Sequence, residues 1–187
     1  MFDEELTYKI VILSYNDSGK TNLINRYMNN GKEIKVELWD TASGETFKSL
    51  NRIFVRGAKG LIFLYDISYQ RSLNEAIDYF NFIKSEISDD VIIALVGNKI
   101  DIDYDNNSYY SRKITIEEGQ RIANENNFLF FEVSAKNGIN VDECFHALIQ
   151  RIYENDPNTI NEHRILNEKK NTIQLRNNRA PKRGCLK

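Results

Sequence analysis

MNNGKEIKVELWDTASGE, residues 28–45, decides the fold, because it fixes what can lie between the first helical segment and the second strand. Upstream, YKIVIL (8–13) reads as a strand and Lys20–Asn30 as a helix. Such a helix is ~16 Å long, and a strand over Ile34–Trp39 is ~20 Å. The lengths nearly match, so the helix returns the chain to the level where the next strand begins. Gly31 suits the helix C-cap. Strand, helix and parallel strand then form a direct βαβ unit.

Outward from this unit, KVELW (35–39), LIFLYDI (61–67), VIIALVG (91–97) and FLFFEVS (128–134) read as further strands. The middle and late ones are continuous apolar runs, as strands covered on both faces require. Leu73, Ala76, Ile77, Phe80, Ile83 and Ile87 form one helical stripe; Val141, Cys144, Phe145, Leu148, Ile149 and Ile152 form another. TIEE (115–118) is a capping box, and Asn140 with Glu143 resembles one. Strands alternating with helices predict an α/β fold with a parallel sheet, whose ligands bind at the carboxyl ends of the strands. The periodicity weakens past Asp156 and Pro157, which predicts a domain over 1–156 and a tail over 157–187.

A chain of 187 residues holds one well-buried domain plus a tail. Its 41% hydrophobic and 28% charged residues are ordinary for a soluble globular protein. The longest apolar runs fall far short of a membrane span, and the absence of a basic-then-apolar opening makes a cytosolic address the default expectation. Two cysteines, Cys144 and Cys185, are no disulfide framework and agree with a reducing compartment. The net charge of −2 hides an asymmetry. From Asn167 onward seven Lys or Arg face one acid, Glu168. Such a tail suits an anionic membrane or nucleic acid, with a solvated disordered end as the equal alternative.

LSYNDSGKT (13–21) follows the first strand and opens a helix. Gly19, Lys20 and Thr21 satisfy the second half of the Walker pattern, and Ser14 replaces its first Gly. Backbone N–H groups around Ser18 and Gly19 would meet phosphate oxygens at a helix N-terminus. Lys20 would meet the terminal phosphates and the Thr21 hydroxyl would ligate Mg²⁺. Asp17 brings a carboxylate into the cradle, where like charges repel strongly. Weaker nucleotide binding than an intact loop gives is expected.

VGNKID (96–101) closes one strand and VSAK (133–136) a later one. With SGKT and LWDTA, these motifs resemble the Ras-superfamily small GTPases, in the family's order, over about residues 7–156. FKSL, VRGAKG and FLYDIS make the chain most similar to the Rab branch. The resemblance implies an α/β fold of the P-loop NTPase type, with a mostly parallel sheet, helices on both faces and GTP or GDP with Mg²⁺ as cofactors. It gives Asp101 two hydrogen bonds from guanine N1–H and the 2-amino group, which adenine cannot offer. Asn98 would fix the loops and the base edge, and Lys99 would lay its stem along the nucleotide. Ala135 would offer its N–H to the guanine oxygen, with Ser134 and Lys136 supporting and covering the base.

The same resemblance shows a loss. The family carries switch I and an antiparallel edge strand between the first helix and LWDTA. Here 18 residues separate Thr21 from Asp40, so the edge strand is missing and no switch I Thr remains. The newly exposed edge carries Lys35 and Glu37, which discourage pairing, beside Trp39. Asp40 can still hold a Mg²⁺ water. The Gly that meets γ-phosphate is Ser43, and the catalytic Gln is Gly44; neighbouring Glu45 is a poor substitute. No catalytic residue is therefore intact, and hydrolysis of this class depends on positioning. A guanine-nucleotide binder that barely separates GTP from GDP is expected, since a ligand of equal affinity for two states shifts neither.

By family the chain would regulate vesicle-mediated membrane traffic from the cytoplasm or the cytosolic face of an endomembrane. The expected partners are guanine nucleotide and an anionic membrane surface met by the tail, with no nucleic acid. Whether Rab-type regulators engage it stays open, because switch I is missing. Cys185 is a candidate lipidation site, but it is third from the end in GCLK and fits neither Rab prenylation pattern; an unmodified cysteine is the equal alternative. Cys144 belongs to the core stripe. The competing reading of the whole chain is a non-binding remnant, or a splice or gene-prediction product, acting if at all as an interaction module.

Overall fold

The computed structural model describes residues 8–14, 18–28, 36–40, 55–104 and 110–157. Five strands form one sheet: β1 (Tyr8–Ser14), β2 (Val36–Asp40), β3 (Gly60–Asp66), β4 (Ile92–Asn98) and β5 (Leu129–Val133). Their spatial order is β2-β1-β3-β4-β5, and every pairing is parallel. The strands expected from apolar patterning agree to within a residue or so at each end.

β2 pairs directly with β1, with Tyr8 opposite Val36 and Ile12 opposite Asp40. Helix α1 (Lys20–Met28) lies between them in sequence. The direct βαβ unit therefore exists. Among the described residues no strand lies outside β2, which is the sheet edge. The C-cap expected at Gly31, the helix end at Asn30 and the edge residue Lys35 lie outside the described residues.

The helices cover both faces, because the strand residues alternate between two cores. On one face Ile10, Ile12, Ile62, Leu64 and Val96 pack against Leu23 and Tyr27 of α1 and against helix α4 (Val141–Asn155). All six residues of the expected α4 stripe are buried. Tyr27 stacks on Phe145 with ring centroids 4.1 Å apart, which seats α1 beside α4. Cys144 is buried on this face, and burial pushes its thiol up to about 12. That is the behaviour of a core cysteine.

On the other face Val11, Leu13, Leu61, Phe63, Tyr65 and Leu95 meet helices α2 (Gln70–Ile83) and α3 (Ile116–Glu125). The α2 stripe buries Leu73, Ala76 and Ile83 as expected, and adds Ser72 and Tyr79. Thr115 caps α3 by accepting from the Glu118 N–H at 3.2 Å, while Glu117 and Glu118 put negative charge at the helix's positive end. At α4 Asn140 takes φ 57, and its amide reaches back to the Glu132 carbonyl at 2.8 Å. Its amide thus ties the entry of α4 to β5.

Gly119 sits mid-helix for a packing reason. A Cβ there would lie 2.5 Å from the Tyr65 hydroxyl and 2.7 Å from the Phe130 ring. No helix among the described residues is long and apolar enough to cross a membrane.

Candidate functional site

The carboxyl ends of β1, β4 and β5 converge on one cleft of ≈ 630 Å³. Parallel strands deliver their last residues to the same level, so motifs more than a hundred residues apart in sequence meet there. Gly19, Asn98, Lys99, Asp101, Ala135 and Lys136 line it, joined by Asn22, Asn25 and Arg26 from α1.

Asn98, at the end of β4, is the hub. Its side chain is buried, donates to the Ser18 carbonyl at 2.8 Å and accepts the Ala135 N–H at 3.0 Å. One amide thus fastens the phosphate-loop segment to the β5–α4 loop. The Ala135 N–H that family resemblance assigns to the guanine oxygen has Asn98 as its acceptor here. Asn98 also explains Gly19, which takes φ 90, and whose added Cβ would lie 2.6 Å from the Asn98 amide nitrogen. Backbone sign and space both call for glycine.

Asp101 lies in a 3₁₀ turn, Ile100–Asp103, directly after β4. The Ser134 hydroxyl donates to Asp101 Oδ1 at 2.7 Å and itself accepts the Asn137 N–H at 3.0 Å. Asp101 Oδ2 faces Lys136 Nζ at 3.6 Å, a loose pair in which the lysine is largely exposed. Lys99 precedes the turn in the left-handed region at φ 77, a conformation costing about 1–2 kcal/mol outside glycine. Its ammonium pairs with Asp66 Oδ2 at 2.6 Å, while Asp66 Oδ1 accepts the Ser68 N–H and hydroxyl at 2.8 and 2.7 Å.

Lys20 is buried at the start of α1 and donates to the Ser14 hydroxyl at 2.9 Å. The residue that breaks the Walker pattern is therefore a direct partner of the lysine that completes it. Thr21 follows in the first turn and is exposed. Asp40 ends β2. Asp17, Ser43, Gly44, Glu45 and Cys185 lie outside the described residues.

Three contributors carried no role in the sequence reading. Asp66 sits in FLYDIS, where an Asp two residues before a Ser signals a local turn but not a lysine partner. Arg26 reaches from the last turn of α1 to the Ala135 carbonyl at 3.1 Å and to the Lys136 carbonyl. A basic residue closing a helix reads as a macrodipole partner, and nothing local names its distant acceptors. Arg112 stands behind the site, where the Glu132 and Asp103 carboxylates hold its guanidinium above the ordinary arginine range.

A cleft of this size suits one small ligand, and its walls mix backbone groups, amides, one carboxylate and several cations. Together with the all-parallel sheet, this defines an α/β domain with a ligand cleft at the carboxyl ends of its strands. Comparison with known proteins specifies it further. The Ras family matches residues 19–154. The chain is 34% identical over 155 residues to the GTP-binding protein ypt2 of Schizosaccharomyces pombe, covering 83% of this chain and 73% of that protein. It is 31% identical over 209 aligned positions to Ras-related protein RabC of Dictyostelium discoideum, covering 98% and 99%. That alignment is longer than the chain itself, so it carries gaps opposite RabC residues. Ras-related protein Rab-13 of Rattus norvegicus is 39% identical over 122 residues, 65% of this chain and 57% of that protein. The chain belongs to the Ras family, as a Rab-like small GTPase.

Proposed function

We propose that this chain binds GDP and GTP with similar affinity, hydrolyses GTP poorly, and acts as a Rab-like component of vesicle-mediated membrane traffic. The observation that carries the binding half is the linkage of Asn98, Asp101, Ser134 and Ala135 around one cleft. Asp101 presents a carboxylate beside that cleft, held by Ser134. Two N–H donors of a guanine edge satisfy such a group, whereas adenine leaves it unpaired in a partly dry site, and that mismatch makes the selectivity. Asn98 keeps the base loops and the phosphate loop at a fixed spacing. Gly19 opens α1 where phosphate oxygens would meet backbone N–H groups, and Lys20 supplies the charge.

By the family resemblance, Mg²⁺ would be held by the Thr21 hydroxyl directly and by Asp40 through a water, oxygen donors of the kind it takes; bound there, it would neutralise phosphate charge. The catalytic half fails for reasons of composition. Gly44 has no side chain to orient an attacking water, and no switch I Thr is present to sense γ-phosphate. Asp17 and Ser14 both weaken the phosphate cradle in this reading. Replacing Asp17 with Gly would therefore tighten GDP binding, and an unchanged affinity would remove Asp17 from the account.

Residues 1–156 are taken as the Rab-like domain and 157–187 as a basic tail that meets an anionic membrane on its cytosolic side. Lipidation of Cys185 is an added proposal. Mass spectrometry of protein isolated from its native cell tests it, and an unmodified Cys185 removes it.

The deciding experiment titrates refolded, nucleotide-free protein with GDP, GTP and ATP, with and without Mg²⁺. Equal binding of both guanine nucleotides and no response to ATP is the expected result. A marked GTP preference with a GTP-dependent conformational change overturns the non-switching reading. No binding at all favours the remnant.

A further inference from the structure

One guanidinium ties the turn that carries Asp101 to the end of β5, which leads into Ser134. Arg112 lies just before α3. Its Nη2 donates to Asp103 Oδ2 at 2.6 Å, and its Nε to both Asp103 oxygens at 3.0 and 3.2 Å. Nη1 and Nη2 also donate to the two Glu132 oxygens at 2.7 and 2.8 Å, and Nη1 to the Ile114 carbonyl at 3.0 Å. Charge-assisted bonds in such a fork are stiff as well as strong.

The positions of the two acids matter. Asp103 ends the turn that contains Asp101 and lies two residues beyond it. Glu132 lies two residues before Ser134. Arg112 therefore braces the Asp101–Ser134 hydrogen bond from behind, one step removed on each side. Neither it nor its two acids lines the cleft. Glu132 is only 10% exposed at its side chain and Arg112 21%, so water screens the pair incompletely.

The turn needs such a brace. A short 3₁₀ segment has little stability of its own, and this one follows a left-handed Lys99. Strained backbone persists only where its surroundings over-determine it. Lys99 anchors one end of the turn through Asp66, and Asp103 anchors the other through Arg112.

We propose that Arg112 is a positioning residue for base recognition, setting the Asp101–Ser134 geometry and with it the discrimination at the amino edge of guanine. This rests on the guanine-nucleotide reading above. Recognition tolerates errors of only about 0.5 Å, so a loosened turn reduces selectivity before it abolishes binding.

The test uses the full chain and two probes, GDP and IDP, which differ only in the 2-amino group. Wild type is expected to prefer GDP. Arg112→Met is expected to lose about tenfold in GDP affinity, ~1.4 kcal/mol, with a much smaller loss for IDP. In an Asp101→Ala background the same substitution is expected to change neither affinity further, because its route of action is gone. Asp103→Asn keeps the Arg112–Glu132 pair and guards against misfolding; it is expected to shift the GDP/IDP ratio in the same direction by less. Equal losses for both nucleotides, or an unmoved ratio in both variants, would overturn the role of Arg112 alone. Wild-type protein that binds neither nucleotide overturns this role and the guanine reading together.

Discussion

The two ends of this sheet differ in how they are fastened. At the β4–β5 end, one buried amide, several carboxylates and a guanidinium close a polar network around the Asp101 turn and the loop after β5. At the β1–β2 end, a short edge strand pairs directly with β1, and α1 is seated mainly by apolar contacts such as Tyr27 on Phe145, with Arg26 bonded to the Ala135 carbonyl as its polar tie. Loss of an edge strand takes hydrogen bonds from one side of one neighbour only. Loss of a central strand would divide the sheet and expose both cores. A segment lost beside β2 would therefore fall where the fold tolerates it, and the proposed base-reading residues follow β4 and β5.

The largest expected effect breaks the apolar fastening. Phe145→Ala removes a fully buried ring and its stacking on Tyr27, at a cost of about 3–5 kcal/mol. Denaturant titration reads it, and a loss below about 1 kcal/mol would mean that α1 is seated by something else. Next, Asn98→Ala leaves the Ser18 carbonyl and the Ala135 N–H without their shared partner, costing about 2–3 kcal/mol. It is also expected to weaken guanine-nucleotide binding more than Phe145→Ala does, because both loops at the cleft lose their spacing.

Tyr65 sharpens the comparison from beneath the network. Its hydroxyl is buried with no hydrogen-bond partner among the described residues. Burial foremost, and then the Glu132 carboxylate, push its phenol above the ordinary range, while Arg112 opposes them. A folded-state value above the unfolded one contributes stability that is complete below about pH 10 and is lost as pH rises beyond it. Tyr65→Phe is expected to stay within about 1 kcal/mol of wild type at pH 7, and to flatten the decline between pH 9 and 11. Melting curves across that range check both halves, and an unchanged alkaline slope would rule the phenol out.

The smallest effect is at the surface. The Lys59 ammonium, 2.6 Å from Asp90, holds that carboxyl below its ordinary range. The contribution is present above about pH 4 and is lost as pH falls through the lower folded value. Both side chains are well exposed, so Asp90→Asn is expected to cost less than about 0.5 kcal/mol. A larger acid-side loss in a melt at pH 3 would show the pair to be more than a solvated contact.

Element order was legible because apolar runs and stripes report burial directly. All six residues of the α4 stripe and all five strands were readable in this way. Thr115 was legible too, since a capping side chain bonds its own helix. Asn140 was not, because its amide is drawn to Glu132, eight residues back. Of the candidate site, the motif residues Gly19, Asn98, Lys99, Asp101, Ala135 and Lys136 were legible and meet at one cleft. The braces around them, Asp66, Arg26 and Arg112, were not. Each acts through a partner that nothing in its own segment specifies.

The sequence by itself determined the βαβ order, the motif residues of the candidate site, and Gly44 where the family resemblance expects a Gln, because these are matters of composition and spacing along one chain. Only the tertiary structure decided that Ser14 meets Lys20, that Lys99 meets Asp66, and that one arginine braces the Asp101–Ser134 pair. Parallel strands bring distant loops to a common level, and which side chains then touch depends on register and packing across the sheet. A local pattern carries neither.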